Sequence, residues 1–265
     1  MTLERREIDG IVIYASPLLE GVGVPHAFST RIGGVSGKPF DSMNLGTVGS
    51  GDSGAQDSIE NIRANQKLIR GAIGCAAREA CNVHQVHGAD VLTASPGEPF
   101  ENGRKADAIL SNDPGRVVSV KYADCVPILL ASEDGRFVGA IHAGWRGLIA
   151  GAVPAAVAML KDRHPGEVLA AVGPCIGYDA FEVGPEVLRA FVGRFGECAP
   201  IRREGEKGRV DLREAVRRQL NEAGVTRIDL TDRCTVRDED EFFSHRRDNG
   251  ITGRMAAFIG ARGDA

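Results

Sequence analysis

The sequence predicts an α+β fold: one domain with a mixed β-sheet core flanked by helices. Strand-like apolar runs follow one another with helical stretches between only some of them, which argues against regular βαβ repetition. The helical stretches carry their apolar residues on one side, as helices covering a sheet do. The chain has 265 residues, 43% hydrophobic and 26% charged, which suits a single globular domain (residues 1–265) able to bury a sizeable core.

In order along the chain, strand character appears in IVIYA (11–15), HAFST (26–30), DVLTA (90–94), ADAILS (106–111) and RVVSVKYA (116–123). VPILLAS (126–132), RFVGAIHA (136–143), EVLAAVG (167–173), RIDLT (227–231) and RMAAFIG (254–260) continue the series. A helix is expected over 58–73, with Ile59, Ile62, Ile69 and Ile73 on one face and Asp57 or Ser58 as N-cap. Further helices are expected over 148–163 and 185–195. The last, over 211–224, aligns Leu212, Ala215, Val216 and Leu220 and has Gly224 where a C-cap belongs. Glycines cluster in RIGGVSGKP (31–39), GTVGSGDSGA (46–55) and HAGWRG (142–147). The middle cluster reads as a mobile surface loop, and SPGEPFENGRK (95–105) as a second loop.

The chain carries 32 basic and 36 acidic residues, a formal charge of −4. That removes the long-range attraction on which non-specific binding to nucleic acid or anionic membrane depends. The opening MTLERREIDGIVIYAS is too charged for a signal peptide, and no apolar run is long enough to span a bilayer, so a cytoplasmic protein is expected. The six cysteines are dispersed without a CxxC pair and read as small buried hydrophobes unless their neighbours give them a task.

Phosphate-loop, dinucleotide-fingerprint, zinc-deaminase and serine-hydrolase motifs are all absent. Three segments remain: Gln85-Val86-His87-Gly88, Ala123-Asp124-Cys125-Val126-Pro127, and Ile141-His142-Ala143-Gly144-Trp145-Arg146-Gly147. Together they offer two imidazoles and a thiolate, the three-ligand set with an open position that marks a catalytic zinc. Their separations match no local metal spacing, so satisfied core or loop residues remain the alternative.

These segments, together with FSTRIGGVS (28–36), Asn44-Leu45-Gly46, GPCIG, FEVG (181–184), DRCT, FFSHRRD (242–248) and TGRMAAFI (252–259), resemble the YfiH-like family from about residue 11 to 260. That family is also called the laccase-domain, polyphenol oxidoreductase or purine nucleoside phosphorylase family. The resemblance implies an α+β fold related to cysteine deamidases of the cytotoxic necrotizing factor type. It also implies one zinc per chain held by His87, Cys125 and His142. The implied reactions are phosphorolysis of adenosine, inosine and methylthioadenosine, and deamination of adenosine. The older label of a copper-dependent polyphenol oxidase travels with the same motifs.

The residue chemistry tolerates deamination, since zinc lowers the pKa of bound water to about 7. Asp124, beside Cys125, is the expected proton shuttle. Phosphate is expected at Arg31 or Arg146, each next to a glycine-rich turn, while Asn44, Gln85 and Ser244 offer hydrogen bonds to base or ribose. Trp145 suits purine stacking or helix packing equally, and the basic FFSHRRD turn suits closure over an anion. Multicopper oxidation needs roughly ten histidines and this chain has six, so copper is expected only as a substitute ion. The other readings are a metal-free hydrolase or amidase with Cys125 as nucleophile and His142 as base, and a non-catalytic nucleoside or metal binder.

Overall fold

The computed structural model describes residues 2–46 and 56–263, so the glycine-rich loop expected over 46–55 lies, Gly46 apart, outside the described residues. The strands in chain order are β1 (Glu4–Ile8), β2 (Ile11–Ala15), β3 (His26–Ser29), β4 (Glu79–Asn82), β5 (Val91–Ala94), β6 (Ala108–Ser111), β7 (Arg116–Tyr122) and β8 (Val126–Ser132). They continue as β9 (Val138–Ala143), β10 (Val168–Val172), β11 (Glu182–Val183), β12 (Ile201–Glu204), β13 (Lys207–Val210), β14 (Arg227–Leu230) and β15 (Met255–Gly260). The helices are α1 (Pro17–Glu20), α2 (Ile59–Ala72), α3 (Trp145–Ala150), α4 (Ala152–Arg163), α5 (Pro185–Phe195) and α6 (Leu212–Glu222). Among the described residues no helix is long and apolar enough to cross a membrane.

Two six-stranded mixed sheets form the centre, in the orders β1-β2-β3-β15-β7-β4 and β14-β10-β8-β9-β6-β5. Parallel pairs occur at β4/β7, β5/β6 and β10/β14, and the remaining pairs in these sheets are antiparallel. Side-chain alternation divides the apolar residues into three layers. Phe28, Val118, Val120 and Tyr122 of the first sheet meet Ile109, Leu129, Val138 and Leu169 of the second. The alternate residues Leu110, Ile128, Leu130 and Ile141 turn outward onto α4, α5 and α6. On the far side, Ile11, Ile13, Val117 and Phe258 pack beneath Ile69 of α2. The result is helix, sheet, sheet, helix, the mixed sheet core flanked by helices that the sequence predicts.

The helix ends follow local chemistry. Ser58, not Asp57, caps α2 by accepting from the Asn61 N–H. Ile62 and Ile69 are buried, but Ile59 is 37% exposed, so the apolar face is narrower than the isoleucine spacing implies. The helix expected over 148–163 is two helices, because Gly151 adopts φ +89° between α3 and α4. α5 matches its expected bounds, with proline in the first turn. In α6, Asp211 caps the start, Leu212, Ala215, Val216 and Leu220 are buried, and Gly224 follows at φ +74°.

Candidate active site and metal centre

β8 and β9 pair antiparallel with Pro127 opposite His142 and Val126 opposite Ala143. Cys125 and Gly144 therefore leave the ladder side by side, and the thiol and the His142 imidazole emerge at the same end of the hairpin. His87 arrives from the loop after β4 with φ +60°. Its ring lies edge-on to His142, with centroids 4.9 Å apart. The ligand atoms of His87, Cys125 and His142 all fall within 4.8 Å of one another. Gly144 is the space that permits this: a Cβ there would sit 2.6 Å from His87 Nδ1 and 3.0 Å from Cys125 Sγ.

One residue that the sequence reading missed ties the cluster together. Asp107, fully buried just before β6, has Oδ1 2.8 Å from His142 Nδ1. The same oxygen accepts the His87 N–H, and Oδ2 accepts the N–H groups of Val86 and Gly88. Burial pushes this carboxyl up, but the His142 hydrogen bond and the backbone donors outweigh it and hold it below the ordinary carboxylate range. The bond occupies His142 Nδ1 and leaves Nε2 for the cluster. Burial likewise opposes ionisation of Cys125, yet His142 and His87 overcome it and bring the thiol down to about 6. Burial lowers His142, while the Cys125 thiolate and Asp107 more than compensate and lift it to about 9.

A thiolate at neutral pH, an imidazole oriented by a carboxylate and a second imidazole form a donor set that fits a tetrahedral zinc or a copper ion. Exposure falls from His87 through Cys125 to the buried His142, so the open side of the cluster faces a cavity of about 590 Å³.

That cavity is lined by Gln85, Asp124 and Arg146 among the expected site residues, and by Trp145, His245 and Arg246. Gln85 uses both amide atoms on a backbone, donating to the Lys121 carbonyl at 2.7 Å and accepting the Lys121 N–H at 2.8 Å. Asp124, at φ +95°, is buried and accepts from the Thr235 and Ser244 hydroxyls and the Arg246 N–H. Arg146 lies over the Trp145 ring at 4.3 Å.

Arg31 and Asn44 are not among the residues that line the cavity. Arg31 donates to the carbonyls of Asp41 and Glu239 and covers Phe243 at 4.7 Å, tying its loop to the 239–243 turn. Asn44 is buried, bonded to Asp57 through Nδ2 and to the N–H groups of Gly46 and Arg254 through Oδ1. The glycines beside Arg31 serve close chain packing, since a Cβ at Gly33 would meet the Gly10 carbonyl at 2.5 Å. Lys121 and Arg254 line the cavity unforeseen, and the one signal for Lys121 was a charge inside the apolar run RVVSVKYA.

Comparison with known proteins agrees with the motifs. The family described as multi-copper polyphenol oxidoreductase laccase matches residues 25–262. A Shigella flexneri protein named purine nucleoside phosphorylase YfiH is 41% identical over 250 residues, covering 94% of this chain and 98% of that protein. The Escherichia coli protein of the same name is 42% identical over 238 residues, covering 89% of this chain and 93% of its own. The crystal structure of YlmD from Geobacillus stearothermophilus superposes with a TM-score of 0.85 at 31% identity, covering 97% of this chain and 98% of that one. By its matched length, its relatives and its fold, this chain belongs to the family described as multi-copper polyphenol oxidoreductase laccase, the family of the YfiH-named proteins.

Proposed function

We propose that the protein is a cytoplasmic, zinc-dependent purine nucleoside phosphorylase that takes adenosine, inosine and methylthioadenosine and also deaminates adenosine. The observation that carries this reading is the three-ligand cluster of His87, Cys125 and His142 opening into a nucleoside-sized cavity. The names of the bacterial relatives support its phosphorylase part.

In phosphorolysis a phosphate oxygen bonds to the ribose C1′ as the C1′–N9 bond breaks. The purine leaves with that electron pair and takes up a proton, giving base and ribose 1-phosphate. In deamination, water oxygen replaces the exocyclic amine, which leaves as ammonia. A zinc ion held by His87, Cys125 and His142 Nε2 would supply Lewis-acid chemistry at the cavity-facing position, and copper could substitute there. Asp107 keeps His142 in the tautomer that presents Nε2. Trp145 and Phe181 give the base apolar surface, with Arg146 over the Trp145 ring. Asp124 has both oxygens engaged, so its role is to hold the Ser244 to Arg246 turn at the cavity wall.

A second reading has a specific observation in its favour. Cys125, His142 and Asp107 form a thiolate–imidazole–carboxylate line of the kind used by cysteine hydrolases and amidases. His87→Ala separates the two: it removes a ligand but leaves that line intact, so surviving activity would favour the amidase. The oxidase reading lacks support among the described residues, where one His/Cys group can hold a metal.

The deciding experiment incubates the zinc-loaded protein with adenosine, with and without phosphate, and separates products by chromatography. Phosphate-dependent adenine and ribose 1-phosphate, with inosine as the deamination product, are expected. Neither product from stoichiometrically zinc-loaded protein would move the assignment to the amidase or to a non-catalytic binder.

A further inference from the structure

Four cationic residues line the cavity that the ligand cluster opens into: Lys121, Arg146, Arg246 and Arg254. Elsewhere arginines sit against carboxylates, as Arg116 does with Glu79 and Arg217 with Glu214. Among the described residues none of the four cavity cations forms an ion pair with a carboxylate, although Asp124 and Cys125 act on Arg254 at longer range. Arg254 donates through Nη1 to the carbonyls of Thr252 and Gly253, and its Nη2 lies 3.4 Å from His245 Nδ1. Arg246 donates to the Glu182 carbonyl and lies over the Phe181 ring at 5.3 Å. Arg146 has the Trp145 ring. Among the described residues the Lys121 ammonium has no hydrogen bond or ion pair, and burial lowers the amine to about 8. Asp124, the one carboxylate in the wall among the described residues, is already engaged by three donors.

The backbone sets two of these cations side by side. β7 and β15 pair with Tyr122 opposite Met255 and Lys121 opposite Ala256. Arg254, one residue before the ladder, is thus the diagonal neighbour of Lys121 on the same face of the sheet. Each position is fixed by a buried or half-buried amide. Gln85 pairs with both backbone groups of Lys121, and the Asn44 Oδ1 accepts the Arg254 N–H at 2.9 Å. A half-buried ammonium with no counter-ion is costly, and a ligand that brings negative charge relieves the cost. A guanidinium beside an ammonium suits a tetrahedral oxyanion, the first through its planar donor fork and the second as a point charge.

We propose that Lys121 and Arg254, with Arg246, form an oxyanion subsite that holds inorganic phosphate next to the metal ligands. The role of that phosphate as a reactant rests on the phosphorylase reading; its binding rests on the charge and geometry of the cavity alone. A nucleotide phosphoryl group has the same chemistry, so the test carries an arm for each source.

Lys121→Met keeps the side-chain stem and leaves the backbone ladder untouched; Arg254→Gln is the second variant. Binding of inorganic phosphate and of adenosine 5′-monophosphate is measured by titration calorimetry on zinc-loaded protein, with circular dichroism and zinc content as folding controls. Each variant is expected to weaken phosphate by about tenfold or more, the loss of one charge-assisted contact. In turnover, the KM for phosphate rises by the same factor while the KM for nucleoside stays within about twofold. Folded variants that bind phosphate as well as the parent would overturn the subsite. So would Lys121-dependent binding of the monophosphate with no effect on free phosphate. A parent protein that binds phosphate through these residues yet cleaves no nucleoside sinks the phosphorylase reading and leaves the subsite standing. Robust phosphorolysis with a phosphate KM indifferent to both substitutions does the reverse.

Discussion

His142 Nδ1 lies 2.8 Å from Asp107 Oδ1, and the same carboxylate accepts the N–H of His87, so a single buried side chain orients one candidate metal ligand and anchors the backbone of another. Asp107→Asn keeps the volume but turns one acceptor into a donor facing groups that already donate. Metal affinity should fall about 10- to 100-fold, the usual effect of losing such a partner. Competition against a chromophoric chelator measures it, and cobalt substitution reports the ligand field independently of turnover. Unchanged affinity in a folded Asp107→Asn protein would show that the imidazoles hold themselves.

Gly144→Ala should damage the site and spare the fold. The backbone there is at φ −74°, which alanine adopts freely, but the added methyl would lie 2.6 Å from His87 Nδ1 and 3.0 Å from Cys125 Sγ. Zinc content after gel filtration should drop sharply, with the melting temperature of the metal-free protein nearly unchanged. Full zinc occupancy would mean that His87 swings aside at little cost.

Gly193→Ala is the opposite case. This exposed glycine sits inside α5, and a Cβ there would meet nothing within 4 Å. Stability should rise by about 0.5–1 kcal/mol, since alanine loses less backbone entropy in a helix. Urea denaturation reads the gain as a higher midpoint at constant slope.

Stability should fall as pH drops through the range just below 6.5, and His26 should account for part of the fall. Its Nε2 accepts the Ser16 N–H and its Nδ1 faces the Val24 carbonyl, so the folded state holds the neutral ring. Burial depresses its pKa against the weaker pull of the Val24 carbonyl. The unfolded chain then binds the extra proton first, so the stabilisation is complete above the unfolded value and is lost as pH falls toward the folded one. His26→Gln keeps a hydrogen-bonding side chain without that proton, and its denaturation midpoint should depend less on pH between 7 and 5. Carboxylates such as Asp57 and Asp134 are also depressed, but they act in a lower window. Equal slopes in the two proteins would remove His26 from the account.

Legibility in the sequence tracked how local each cause was. The longer apolar strands and α5 could be read because periodicity and capping are short-range properties. β1 and the β12–β13 hairpin were invisible because ERREI, IRRE and KGRV carry charge at positions where an exposed edge tolerates it. His87, Cys125 and His142 came into view as two imidazoles and a thiol beside glycines and strand ends, and the family resemblance joined them; their meeting depends on a β8–β9 register and a left-handed His87 that no spacing rule encodes. Asp107 had only the signal of a carboxylate inside an apolar strand, in ADAILS. Arg31 looked poised because its neighbours are glycines, yet those glycines let chain segments pack closely.

The break at Gly151 separates two jobs that one continuous helix would have joined. α4 is bolted to the second sheet through Val153, Ala156, Val157 and Leu160, whereas α3 begins at Trp145 and Arg146 in the cavity wall. The left-handed joint lets the short segment leave the line of the long helix, while Leu148, fully buried, pins it into the same core and its carbonyl accepts from Gln219 of α6. The stretch of cavity wall at Trp145 and Arg146 is thus braced from beneath by the packed interior, one buried leucine away from the chamber.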